Sequence, residues 1–427
     1  MVLELALALP AALLLIPSVV LLIECLAATA PASAPPATAG PAAGARKGAP
    51  RIAILIPAHD EAGQIGPTIE ALAAELGAGD RLIVIADNCG DATAEIVNAV
   101  GAAPRAASVT SIERRDPVNV GKGFAISFGV QHLALDPPDV VVLVDADCRT
   151  APGAVAALAR EATRTGRPIQ GEYLLTAPPD AGTLTRVSAL AFLVRNRVRP
   201  RGLHRLGLPC LLTGSGMAFP WGVLRDAPAT RGNLVEDMVL GLELALQGHA
   251  PLLCAEAQIS SELPTGRSAS LRQRRRWEHG HLHTLTTFVP RLVAAGLARA
   301  DAGLLGLAAD LCVPPLALLV ALQMAMLALT VALRALGVAG AAPSDLATVG
   351  LAATGLAVAV AWWRFARDVV PFRTLLAAPL YLAWKVPLYA LLLVKGRQRT
   401  WERTQRRGED PTSAPGPESR GGDAAKP

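Results

Sequence analysis

The sequence predicts an α/β domain with a parallel sheet covered on both faces, flanked at each end by helices able to cross a membrane. Three observations carry this reading. Short β-branched runs alternate with helically spaced apolar residues between positions 52 and 147. Of the 427 residues 52% are hydrophobic and 18% charged, and the mean hydropathy of +0.39 is too apolar for a soluble globular chain. The apolar excess is concentrated at residues 2–23 and in three runs beyond residue 300.

Residues 2–23 are long enough to span a bilayer, although Glu4, Pro10 and Pro17 interrupt them. A secretory signal peptide is the competing reading, disfavoured because no Lys or Arg precedes the apolar run. The first unit is therefore a transmembrane helix at 1–27, followed by an Ala/Pro-rich linker at 28–50 that can neither continue a helix nor build a core.

The catalytic unit is expected over 51–285. IAILIPA (52–58), RLIVIAD (81–87) and VVVLVDAD (140–147) read as buried strands, with helices from Gln64 to Leu76 and over GFAISFGVQHLAL. In such sheets ligands bind beyond the carboxyl ends of the strands. His59, Asp60 and Glu61 follow the first, Asp87 and Asn88 the second, and Asp145 and Asp147 close the third.

Residues 286–396 carry interfacial and transmembrane helices, with near-spanning runs at 304–333, 346–363 and 374–394. Pro314 and Pro315 break the first, leaving 316–333 as its helical part. Lys395 to Arg407 holds six basic residues and one acidic, which the positive-inside rule places in the cytosol, whereas three spans after a cytosolic domain place it outside. One of the three candidates is therefore misread, which leaves two or three spans as the expectation: either 374–394 lies in the interface or re-enters, or 304–333 is a hairpin. Residues 397–427 are expected to be a basic, then disordered, cytosolic tail.

The formal charge is +5, but the basic residues adjoin apolar runs without interleaved aromatics, so no nucleic-acid partner is expected. Six scattered cysteines contain no C-x-x-C pair, which argues against a disulfide framework or zinc site and for a reducing compartment.

Asp145-Ala146-Asp147 presents two carboxylates at a strand end, hard oxygen ligands suited to Mg2+ or Mn2+ bridging a nucleotide diphosphate; capping of the next helix is the plain alternative. Glu236-Asp237 opens an apolar-periodic helix, where the helix dipole favours acids, yet a carboxylate there can also act as general base. Arg272, Gln273, Arg274, Arg275, Arg276 and Trp277 combine forked phosphate donors with an interfacial aromatic and serve equally as a membrane flank. Gly121-Lys122-Gly123 lacks the full phosphate-loop spacing. His279 and His283 would share a helix face without completing a metal set. Thr213, Gly214, Ser215 and Gly216 mark a close backbone approach or a tight turn.

Taken in order, IPAHDEAGQI, VIADNCGDAT, NVGKGFA, VDAD, TGSGMAF, VED and QRRRW resemble the membrane-bound family 2 glycosyltransferases, the group of cellulose, chitin and hyaluronan synthases and related exopolysaccharide enzymes, over residues 50–285. The resemblance implies a GT-A fold, a nucleotide-sugar-binding, Rossmann-like mixed sheet, and inverting transfer from a nucleotide sugar, with a uridine diphosphate sugar favoured. It places Asp60, Glu61 and Asp87 around the nucleoside, and Lys122 and Asp145 near the diphosphate. Asp147, with Asp145, takes the metal. Asp237, with Glu236 beside it, is the base; Gln273, Arg276 and Trp277 line the diphosphate and acceptor channel; Thr213 to Gly216 lie beside the acceptor. Val235 stands where the family usually has Thr, with both acids kept.

The small number of spans speaks against a continuous export pore. The expected reaction is therefore sugar transfer to a saccharide or lipid-linked acceptor at the cytosolic face of the cell (inner) membrane, in exopolysaccharide or cell-surface glycan synthesis, with the lipid bilayer and export proteins as partners. Thr183 to Leu208, basic and apolar together, is suited to lie on that surface. A polyprenyl-phosphate sugar transferase and a catalytically silent nucleotide-sugar-sensing scaffold are the competing readings.

Overall fold

The structure, a computed structural model, describes residues 2–31, 49–178, 181–228, 236–263, 267–377, 380–382 and 385, without the side chains of 236 and 267–275. In chain order the elements are α1 (Val2–Ala28), β1 (Ile52–Ala58), α2 (Ile65–Ala73), β2 (Arg81–Asp87), α3 (Thr93–Gly101), β3 (Ser108–Arg114), α4 (Lys122–Leu133), β4 (Val140–Leu143), β5 (Arg149–Thr150), α5 (Ala154–Thr165) and β6 (Ile169–Thr176). There follow α6 (Thr183–Leu193), a π-helical turn (Val194–Val198), α7 (Arg199–Arg205), β7 (Met217–Pro220), α8 (Trp221–Arg225), α9 (Glu236–Leu246), β8 (Leu252–Glu262) and α10 (Arg267–Arg299). The chain continues as α11 (Ala302–Leu311), α12 (Leu316–Ala335), α13 (Ala342–Phe365) and α14 (Phe372–Leu375).

One sheet carries the strands in the order β3-β2-β1-β4-β7-β6-β8-β5. β3, β2, β1 and β4 run parallel, as the alternating pattern requires. From β7 onward the sheet is mixed, with β7 antiparallel to both β4 and β6 and β8 parallel to β6. The parallel expectation thus holds for the first half, and the whole is the mixed sheet of the GT-A type. β3 was not foreseen: its alternation of exposed and buried residues at an edge lacks the continuous apolar run of its neighbours. The strand expected to reach residue 147 ends at Leu143, so the paired acids sit in the loop beyond it.

The period of two along each strand divides the core. Ile52, Ile54, Ile56 and Ala58 enter one buried cluster with Leu72 and Leu158, while Ala53 and Leu55 enter the other with Ile83, Ile85 and Phe219. Burial on both faces explains why these strands read as unbroken apolar runs.

Among the described residues three helices are long and apolar enough to cross a membrane: α1, α12 and α13. Despite Pro10 and Pro17, α1 is continuous over 27 residues. α12 begins after Pro314 and Pro315, where the sequence places the break. Leu21 and Cys25 of α1 pack with Leu190 and Val194 near the domain and with Ala357 and Ala361 of α13. α7 closes on α1 so tightly that a Cβ on Gly202 would lie 2.1 Å from the Glu24 carbonyl oxygen. There Arg199 forms a buried triad, 2.9 Å from Glu24 and 2.5 Å from Asp310 at the end of α11. Of the expected run 374–394 only 374–377, 380–382 and 385 are described; most of the linker 28–50 and all of the tail 397–427 lie outside the described residues.

Candidate active site

Lys122 opens α4 behind Gly121, whose φ of 125° suits the missing side chain. The Lys122 ammonium donates to Asp145 Oδ1 and, at 2.5 Å, to the Gly214 carbonyl. Burial works against its charge, but the Asp145 and Asp237 carboxylates overcome this and hold it above the usual lysine range. Burial raises the Asp145 carboxyl, with Asp147 adding to that and Lys122 opposing it.

The loop 213–216 crosses beneath these groups. Ser215, fully buried, accepts from the Asp145 amide at 3.0 Å and donates to Cys148 Sγ at 3.1 Å. Gln170 of β6 accepts from the Thr213 amide at 2.8 Å and donates to the Ser215 carbonyl at 2.9 Å. Gly214 has φ +101°, and a Cβ there would stand 3.0 Å from Asp237 Oδ2 and 3.9 Å from Lys122 Nζ. The loop thereby brings Lys122, Asp145 and Asp237, from three distant stretches, around one backbone position.

Donor atoms of Asp145, Asp147 and Cys148 lie within 4.8 Å of one another. Asp147 Oδ2 accepts from Ser261 of β8 at 2.7 Å. α5 is preceded by Gly153 and carries no side-chain cap, so the two acids are not its caps. Two hard carboxylates beside a buried thiol whose own pKa burial drives far up form an oxygen-donor set that fits Mg2+ or Mn2+.

Asp60 and Asn88, just beyond β1 and β2, both take φ 53°, an uncommon backbone for these residues that clusters at functional sites. Asp60 accepts from the Gly90 amide at 2.7 Å, and the Glu61 amide donates to Thr93. Asp87 is buried and paired at 2.6 Å with Arg114, which also holds Asp116 at 3.0 Å. These residues form a second pole at the carboxyl edge of the parallel strands, where the sequence places them.

Arg276 and Trp277 lie in α10, the Trp277 ring edge-on to Phe192 with centroids 5.1 Å apart. Glu236 opens α9 and Gln273 lies in α10, but their side chains are outside the described residues. Ser261, Gln170 and Arg114 went unrecognised in the sequence, since a lone polar residue in a strand carries no local signal. Arg195 lies inside the basic-apolar stretch 183–208, which was marked as a whole. In the structure it sits in the π-helical turn, where burial lowers its pKa and Asp237 is among the charges acting on it.

The model of "Glycosyltransferase like family 2" matches residues 50–280, just over half of the chain. Among solved structures, the mannosyltransferase PcManGT from Pyrobaculum calidifontis, in complex with GDP-Man and Mn2+, is similar at a TM-score of 0.50 and 16% identity, covering 92% of this chain and 99% of that one. Glucosyl-3-phosphoglycerate synthase from Mycobacterium tuberculosis is similar at a TM-score of 0.34 and 22% identity over 48% of this chain and 69% of that one. No curated protein matches the chain.

Proposed function

We propose, since this chain belongs to glycosyltransferase-like family 2, that it is an inverting, metal-dependent transferase of the membrane-bound type. It would move a sugar from a nucleotide sugar to a saccharide or lipid-linked acceptor at the cytosolic membrane face, in cell-surface or exopolysaccharide synthesis. The observation that carries this is the convergence of Lys122, Asp145 and Asp237 about Gly214. One carboxylate stands clear to take a proton while a cation and two further acids attend the leaving group.

In this reading Asp237 accepts the proton of the attacking hydroxyl, and one base suffices for one nucleophile. Lys122 holds Asp145 and faces the developing diphosphate charge, with Arg276 as a further donor. Bound by Asp145 and Asp147, Mg2+ or Mn2+ would supply Lewis-acid neutralisation of the departing diphosphate. Asp60, Glu61 and Asp87 line the nucleoside side, Asp87 kept oriented by Arg114. Thr213 to Gly216 shape the floor on the acceptor side, with Trp277 nearby. No covalent intermediate is needed, unlike retaining glycoside hydrolysis. α1, α12 and α13 would anchor the domain with its nucleotide site in the cytosol, where nucleotide sugars are made.

The test is transfer by the purified chain in lipid, with a panel of nucleotide sugars including uridine and guanosine diphosphate sugars, with and without Mn2+ or Mg2+. Product formation abolished by Asp147→Ala and by Asp237→Asn is the expected result. Donor binding without turnover on any acceptor would leave a silent scaffold. Undiminished transfer to a polyprenyl phosphate by Asp237→Asn would favour that acceptor instead, because a phosphate needs little base assistance.

A further inference from the structure

The end of α13 and the turn into α14 carry a basic surface that the reaction does not use. Arg364, Arg367 and Arg373 are exposed there, against one acid, Asp368. Arg367 reaches that carboxylate only at 3.8 Å, and Arg364 and Arg373 make no ion pair or hydrogen bond among the described residues. Apolar side chains are interspersed with the charges: Trp363 is 62% exposed and Phe372 59%, and Val369 is exposed as well.

This surface is held in one shape. The Trp362 indole donates to the Val370 carbonyl at 2.7 Å, and its ring meets that of Phe372 with centroids 5.6 Å apart, which folds α14 back on the end of α13. The Arg367 guanidinium lies 5.1 Å from the centre of the Trp363 ring, and that of Arg364 lies 5.6 Å from Phe365. Two of the three charges thus rest on aromatic rings.

Its place along the helix decides what it meets. α13 is long and apolar enough to cross a membrane. Its Phe365 ring faces Arg201 of α7 at 5.8 Å, and that guanidinium pairs with the buried Glu172 of β6. The arginines therefore lie at the end of the span that touches the catalytic domain. At the opposite end the turn 336–341 has no charged residue, Arg334 and Asp345 offset each other at 3.4 Å, and Glu4 of α1 lies against Gly340. Positive charge is gathered on the domain side, as it is on the cytosolic side of membrane proteins.

Guanidinium forks and exposed aromatics at this depth meet lipid headgroups. The forks match phosphate oxygens, and the aromatic and aliphatic side chains suit the boundary with the acyl chains. An acidic soluble protein would match the arginines, yet it would have to displace the headgroup layer from the end of a spanning helix.

We infer that residues 363–373 are a docking surface for anionic phospholipid, whose phosphate meets Arg364, Arg367 and Arg373 and whose acyl chains cover Trp363, Val369 and Phe372. The inference places the catalytic domain against a leaflet rich in anionic lipid. It rests on the membrane-bound part of the reading above and is independent of the sugar chemistry.

The experiment uses the full chain in mixed vesicles of phosphatidylcholine and phosphatidylglycerol, with brominated acyl chains on one lipid at a time. Bromine quenches tryptophan fluorescence on contact, and the share of Trp363 is the difference between the wild type and Trp363→Phe. Phosphatidylglycerol is expected to be preferred at Trp363 by about 5-fold or more, the equivalent of about 1 kcal/mol, which one arginine near an anionic surface supplies. The preference should fall toward unity in the triple variant Arg364→Gln, Arg367→Gln, Arg373→Gln and survive in Arg364→Lys, Arg367→Lys, Arg373→Lys. It should also shrink in the wild type at roughly 1 M salt, where charges are screened beyond about 3 Å, a measurement that serves should the Gln variant fail to fold. Equal quenching by the two lipids, or a preference unmoved by the Gln substitutions or by salt, would overturn the inference and leave the membrane reading standing. Quenching of Trp363 by neither lipid would overturn it together with the membrane reading, and a dimer lost in the Gln variant would then give the surface to a second copy of the chain.

Discussion

The Ser261 hydroxyl donates a 2.7 Å hydrogen bond to Oδ2 of Asp147, joining β8 to the loop after β4. This bond fixes one carboxylate of the candidate metal pair and leaves the charge unchanged. Ser261→Ala is therefore expected to weaken apparent Mn2+ or Mg2+ affinity by about 10–100-fold, the usual effect of losing a supporting partner, with activity regained at high metal. Metal titration of sugar transfer checks this. Asp147→Ala should not be regained at any metal concentration, and chelation should silence the wild type.

Asp237→Asn keeps the shape beside Gly214 but removes the proposed proton acceptor. Turnover should fall by roughly 10²–10⁴-fold, the contribution typical of a general base, while donor affinity holds. Single-turnover transfer together with nucleotide-sugar titration separates the two quantities.

Gly216 has φ +66°, and a Cβ there would lie 2.4 Å from Ile259 Cδ1. Gly216→Ala should lower stability by about 1–3 kcal/mol through backbone strain and overpacking. Adding Ile259→Val, which removes the clashing methyl, should restore part of the thermal midpoint. Gly214→Ala, strained likewise by its φ of +101°, should in addition cost turnover, since its Cβ would press on Asp237.

Arg199 links α1, α7 and α11 through Glu24 and Asp310. Arg199→Met leaves two acids buried without their cation and is expected to cost about 3–5 kcal/mol. A triple variant with Glu24→Met and Asp310→Leu should recover most of the loss, because a buried ion triad replaced whole by apolar side chains is often neutral. Thermal unfolding in a fixed lipid composition measures both.

Burial lowers the His281 pKa to about 3, with Arg195 and Arg199 adding to the effect. The unfolded chain takes up that proton near the ordinary histidine value while the folded chain does not. Stability is therefore lost as pH falls from about 6.5 toward 3, at no more than about 1.4 kcal/mol per pH unit. His281→Gln should flatten this acid limb of the unfolding midpoint against pH.

Much of the proposed nucleotide side was legible because it depends on local pattern. Asp60, Asp87 and Asp145 follow short β-branched runs that read as doubly buried strands, and the strand ends of such a sheet are where ligands bind. The edge strand β3 was hidden because its half-exposed residues carry no continuous apolar run. The partners Ser261 and Gln170 were hidden because their contacts join strands whose order in the sheet departs from their order in the chain. Arg195 was visible only as one cation in a basic stretch, since a π-helical turn has no composition of its own.

The sequence by itself determined the two-sided burial of β1, β2 and β4, the apolar helices that flank the domain, and the acids placed at strand ends. These follow from residue periodicity, which acts within a few positions. Only the tertiary structure decided that Gly214 brings Asp237 to Lys122 and Asp145, and that Arg199 joins α1, α7 and α11 through Glu24 and Asp310. Those relations join segments up to hundreds of residues apart, and chain periodicity carries no information about which distant backbone a loop will cross.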